Sequence, residues 1–69
     1  MSVGTSIRSI RRLKGITQEE LAKEINITQS MLCQIERGTK APSLPLSVEI
    51  ASALGCTLND IVEGASTGG

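Results

Sequence analysis

Apolar residues along this chain fall at helical intervals rather than at the alternating spacing of strands. Val3, Ile7, Ile10 and Leu13 recur at three- and four-residue steps, which gathers them on one arc of a first helix and leaves Arg8 and Arg12 on its other side. Gly15 ends that helix. Thr17 is followed by Gln18, Glu19 and Glu20, a hydroxyl cap with a glutamate placed to reach back to it, so a second helix is expected from about Gln18 to Ile25. Asn26 tolerates positive φ and serves as the cap that turns the chain. Thr28 then caps a short third helix, Gln29 to Arg37, closed by Gly38. After a loop through Pro42, Ser43 and Pro45 open a fourth helix with Leu46, Ile50, Ala53 and Leu54 on one face and Gly55 at its end. Thr57 caps a fifth through Val62. The small polar residues from Gly64 onward read as a disordered tail, giving one domain over residues 1–64 and a tail over 65–69.

Length and composition narrow this to an all-α, compact five-helix bundle. The 69 residues contain 39% hydrophobic residues and no Phe, Tyr or Trp, so the core is aliphatic, and sheet-forming aromatic runs are missing. A chain this short buries only about 60% of its unfolded surface, which favours self-association. Net charge is zero, but residues 1–40 hold all seven basic residues against four acids and residues 41–69 hold three acids alone. The molecule is therefore dipolar, +3 on one part and −3 on the other, with a basic face suited to phosphate.

The residue inventory excludes several functions. With no histidine there is no Ser-His or Cys-His pair, and no glycine-rich phosphate cradle occurs, so no enzyme is expected. Two cysteines and no histidine cannot close a four-ligand zinc site, so neither metal nor cofactor is expected. No apolar run approaches the roughly 20 residues of a membrane span, and no signal sequence is evident. The expectation is a cytoplasmic protein with reduced thiols, no membrane association and no small-molecule ligand. Met1 and the five-helix pattern favour a free-standing protein.

Function is carried by the second and third helices. Leu21, Ala22, Ile25, Leu32 and Ile35 hold two short helices at a steep angle across a tight turn, with Ala22 small where the helices cross, which is a helix-turn-helix unit. At about 100° per residue, Met31, Leu32 and Ile35 face one side of the third helix and Gln29, Ser30, Cys33, Gln34 and Arg37 the other. Glutamine pairs bidentately with adenine, serine bonds several base edges, and arginine reads guanine or phosphate. Gln29, Ser30, Cys33 and Gln34 are accordingly the candidate base contacts, and Arg12 and Arg37 candidate phosphate contacts. Cys33 suits a small apolar contact to a thymine methyl, with a redox switch as the other reading of its thiol.

The segments Thr17-Gln18-Glu19-Glu20-Leu21-Ala22, Thr28-Gln29-Ser30, Gln34-Ile35-Glu36-Arg37-Gly38, Ala41-Pro42-Ser43 and Ile50-Ala51-Ser52-Ala53-Leu54-Gly55 resemble, as a set, the Cro/CI-type (XRE family) helix-turn-helix regulators, including lambdoid phage repressor domains. The resemblance spans about residues 5–64. It implies a five-helix bundle that binds a near-palindromic operator in double-stranded DNA as a two-fold homodimer and regulates transcription. By position it also implies that Gln18 holds a phosphate and braces Gln29, that Lys40 and Ser43 contact phosphate, and that Arg11 and Glu36 form a partly buried structural ion pair. Leu58, Ile61 and Val62 fall where the family dimerises. The chain departs from the family pattern in having Asn26 where glycine is common, Cys33 on the reading face, and no aromatic anchor in the last helix. An antitoxin-like protein-interaction module of the same fold is the alternative.

Overall fold

The structure is a computed structural model that describes the backbone of residues 3–66 and the side chains of residues 3–62. Five helices follow one another: α1 Val3–Leu13, α2 Gln18–Glu24, α3 Gln29–Arg37, α4 Leu44–Leu54 and α5 Leu58–Ser66, with no strand among the described residues.

Local chemistry sets most of their ends. Thr17 Oγ1 accepts from Glu20 N–H at 3.1 Å while Glu20 Oε1 accepts from Thr17 N–H at 2.9 Å, closing the capping box of α2. Thr28 and Ser43 cap α3 and α4 through bonds from Met31 N–H and Leu46 N–H. Thr57 and Asp60 form a second reciprocal pair at α5, with an aspartate in the glutamate role. Asn26 turns the chain out of α2 at φ 59°, and the Ile27 N–H then reaches back to the Ala22 carbonyl at 2.9 Å.

The core is aliphatic and draws on all five helices. Ile7, Leu21, Leu32, Ile35, Ile50, Leu54 and Ile61 are essentially without solvent contact, each contributing about 1.5–3 kcal/mol in transfer from water. Ala22 is buried in the same cluster.

Three expectations are corrected. Leu13 is 85% exposed rather than part of the apolar arc of α1. The buried face centres on Ile7 and takes in Gly4, Ser6 and Arg11; Arg11 lies only about 40° around the axis from Ile7, whereas Leu13 lies about 120° away. Ile61, expected at a dimer interface, is a fully buried core residue and has no surface to give a partner. The last helix runs to Ser66 rather than Val62, because Gly64 stays helical instead of turning to the positive φ with which Gly15, Gly38 and Gly55 follow their helices; residues 67–69 of the expected tail lie outside the described residues.

Gly4 brings α1 against α3. A Cβ at this position would collide with the Ile35 carbonyl oxygen and would lie 2.9 Å from the Glu36 carbonyl oxygen. Only a residue without a side chain lets the start of α1 approach the end of α3 this closely.

Candidate nucleic-acid interface

The turn from Asn26 to Thr28 launches α3 across α2, and burial of Leu32 and Ile35 fixes its rotation. Gln29, Ser30, Gln34 and Arg37 are thereby exposed, Cys33 is half-buried, and Met31 is packed against the core. The outward residues are amide, hydroxyl, thiol and guanidinium groups, a set able to donate to and accept from base edges.

Beside this face lies a cleft of about 320 Å³ between α1 and α3. Arg8 and Arg12 approach it from α1, Arg37 and Cys33 from α3, and Gln18 from the start of α2. The three exposed guanidiniums of Arg8, Arg12 and Arg37 make no ion pair among the described residues, so the cleft concentrates positive charge where an anion would sit. Arg8 was missed as a site residue in the sequence. Its spacing of four from Arg12 was the available signal, since residues so spaced share a helix face.

The cleft floor is a buried polar network. Arg11 donates from Nε to Glu36 Oε2 at 2.8 Å and from Nη2 to Glu36 Oε1 at 3.1 Å, a bidentate pair whose side chains are 10% and 4% exposed. Arg11 Nη1 also donates to the Ile16 carbonyl at 2.9 Å. Gln18 Nε2 donates to Glu36 Oε1 at 3.2 Å, and Gln29 Nε2 donates to Gln18 Oε1 at 3.5 Å. A continuous set of hydrogen bonds thus runs from the core to the first residue of α3.

Lys40 and Ser43 are not brought into this cleft. Lys40 is exposed in the loop after α3 and borders an apolar groove. Ser43 is exposed, and its Oγ accepts from Leu46 N–H, which leaves its O–H free to donate outward. The groove, about 280 Å³, includes Val3, Pro42, Leu44, Leu58 and Val62 in its walls. Leu44 and Val62 are exposed there, and Leu58 is half-buried.

Titration follows from the caps. Hydrogen bonds from Thr17 hold the Glu20 carboxyl below its ordinary range, and those from Thr57 do the same for Asp60. Burial, aided by the nearby Asp60 charge, pushes the Cys56 thiol up, as befits a packing residue rather than a reactive one. Among the described residues no cluster could hold a metal ion, and no helix is long and apolar enough to cross a membrane.

Residues 7–61 match the helix-turn-helix family HTH_3. The chain belongs to this family. Among its relatives, the HTH-type transcriptional regulator YazB of Bacillus subtilis is 40% identical over 58 residues, covering 84% of each chain. The immunity repressor protein of Bacillus phage phi105 is 40% identical over 62 residues, 90% of this chain but only 43% of the repressor. The crystal structure of the clp gene regulator ClgR from Corynebacterium glutamicum superposes with a TM-score of 0.91 at 33% identity, covering 96% of this chain and 86% of that one. The HTH_3 family and these relatives are DNA-binding transcriptional regulators, not enzymes.

Proposed function

We propose that this HTH_3 protein is a sequence-reading transcriptional regulator that places α3 in the major groove of a near-palindromic operator, two copies binding two half-sites. The carrying observation is the juxtaposition of the outward face of α3, Gln29, Ser30, Cys33 and Gln34, with the exposed cations of the adjoining cleft. In this reading Arg8, Arg12 and Arg37 grip the phosphates on one side of the groove, and Lys40 and Ser43 those on the other. Such contacts fix register, while the α3 amides select bases. The apolar groove at Leu44, Leu58 and Val62 supplies the dimer contact.

The test is binding to a randomised duplex library at about 0.1 M salt, comparing wild type with Gln29→Ala and Gln34→Ala. A short two-fold consensus is expected, degraded at separate positions by the two changes, each by about 1–3 kcal/mol. Enrichment indifferent to both changes refutes the reading and redirects the search to a protein partner of the antitoxin-like kind.

A further inference from the structure

We infer that Glu36, acting through Gln18, fixes the direction in which Gln29 presents its amide to a base pair, and is thereby a positioning residue for the base selected there. The inference rests on the major-groove reading above and specifies how one of its contacts is set.

The argument begins with what Glu36 can accept and cannot give. Its side chain is 4% exposed, and Arg11 holds both of its oxygens. A carboxylate bound in this way offers only acceptor positions. Gln18 lies 3.2 Å from Oε1 and must turn its NH₂ toward it, because the opposite orientation sets two oxygens against each other at hydrogen-bond range. With the nitrogen committed inward, Gln18 presents Oε1 to its other neighbour, Gln29. Gln29 meets that acceptor with Nε2, at 3.5 Å.

An isolated glutamine amide has no such bias, since its terminal torsion is broad and roughly two-fold. In the chain, the nitrogen end of Gln29 is aimed at Gln18 and its oxygen end away. One N–H faces Gln18, while the other N–H and Oε1 form the donor–acceptor edge used in bidentate base contacts. The order of donor and acceptor along the groove is then fixed. Adenine N7 and N6 present acceptor then donor, whereas adenine N6 and thymine O4 present donor then acceptor. A Gln29 held in one direction matches one of these orders; a Gln29 free to turn matches either.

Two variants cut this relay at different places. Gln18→Met removes the link and leaves the Arg11–Glu36 pair in place. Glu36→Gln keeps the size of the side chain but offers Gln18 either a donor or an acceptor. Library binding read base by base is expected to show, in both variants, roughly a ten-fold loss of preference at the one base pair that Gln29→Ala also affects. Preference at the Gln34-dependent pair stays at the wild-type level. Loss of a Gln18 phosphate contact lowers affinity evenly across sequences and does not imitate that pattern. Should Glu36→Gln fail to fold by circular dichroism, Arg11→Met/Glu36→Leu, which removes the acceptor together with its charge partner, takes its place beside Gln18→Met. Retention of the wild-type preference, or a parallel decline at every position, overturns the inference. Wild-type enrichment insensitive to Gln29→Ala marks failure of the underlying reading instead.

Discussion

Removing the charge of Arg11 tests how much of this small fold depends on one buried pair. In Arg11→Met the Glu36 side chain, 4% exposed, keeps Gln18 Nε2 as its side-chain partner and loses two guanidinium bonds. Stripping one partner from a buried ion pair costs about 3–5 kcal/mol, against about 0–1 kcal/mol for a pair in solvent. A single core of this size rarely supplies more than about 3–5 kcal/mol of net stability. Arg11→Met is therefore expected to leave a large unfolded fraction at room temperature.

Urea titration followed by far-ultraviolet circular dichroism measures the change, with the denaturant slope reporting whether unfolding stays two-state. The double variant Arg11→Met/Glu36→Leu supplies the complementary arm. With both charges gone, stability is expected to return to within about 1 kcal/mol of wild type or above it. A loss below about 1 kcal/mol in Arg11→Met would show that the carboxylate is effectively solvated and refute the burial argument. A double variant as unstable as the single would assign the cost to lost packing of the arginine stem.

Gly4→Ala gains at most about 1 kcal/mol of helix propensity but forces a methyl against backbone carbonyls of α3, for which overpacking costs of about 1–3 kcal/mol are usual; the urea midpoint should fall, and a rise would contradict the close approach. Because Glu20 and Asp60 titrate lower when folded, their caps contribute stability at pH above the ordinary carboxylate range, and that contribution disappears as pH falls through the lowered values. Glu20→Gln with Asp60→Asn should flatten the acid limb of stability against pH, and an unchanged limb would refute this. Arg8→Ala, Arg12→Ala and Arg37→Ala should each weaken DNA binding evenly across sequences and reduce the slope of log affinity against log salt by about one per lost contact; a constant slope would remove that residue from the phosphate contacts. Val62→Lys should abolish cooperative occupation of two half-sites while sparing a single half-site, and retained cooperativity would place the dimer contact elsewhere.

What was legible in the sequence was local. The Thr17–Glu20 box, the Thr28 and Ser43 caps and the turns at Asn26, Gly38 and Gly55 each depend on residues within one helical turn of one another, so the pattern alone places the starts and ends of α2, α3 and α4. The two faces of α3 were readable because Leu32 and Ile35 set its rotation. Burial on α1 was not, because apolar character was equated with depth. Leu13 is exposed, while Arg11, which only the family resemblance marked for partial burial, takes the inner position because Glu36 and the Ile16 carbonyl accept its guanidinium. Gly4 was invisible for a related reason: a glycine at a close approach between helices looks in sequence like any other small residue. At α5, Ile61 and Val62 are adjacent apolar residues, and only the packing of α5 on the core tells which one is left for the surface.

A buried ion pair beside so small a core calls for an explanation other than stability. Desolvation offsets most of the attraction between Arg11 and Glu36, and apolar residues of similar volume would hold α1 against α3 about as well. What an apolar pair lacks is an acceptor at the base of the cleft. Glu36 Oε1 is where Gln18 directs its amide nitrogen, and Gln18 in turn faces the first residue of α3. Stability and base preference therefore separate in the same double variant. Arg11→Met/Glu36→Leu should fold and still discriminate at the base pair facing Gln34, yet lose its preference at the pair facing Gln29. If instead the preference at Gln29 survives there, the buried pair serves the packing of α1 on α3 alone, and Gln29 takes its direction from the DNA.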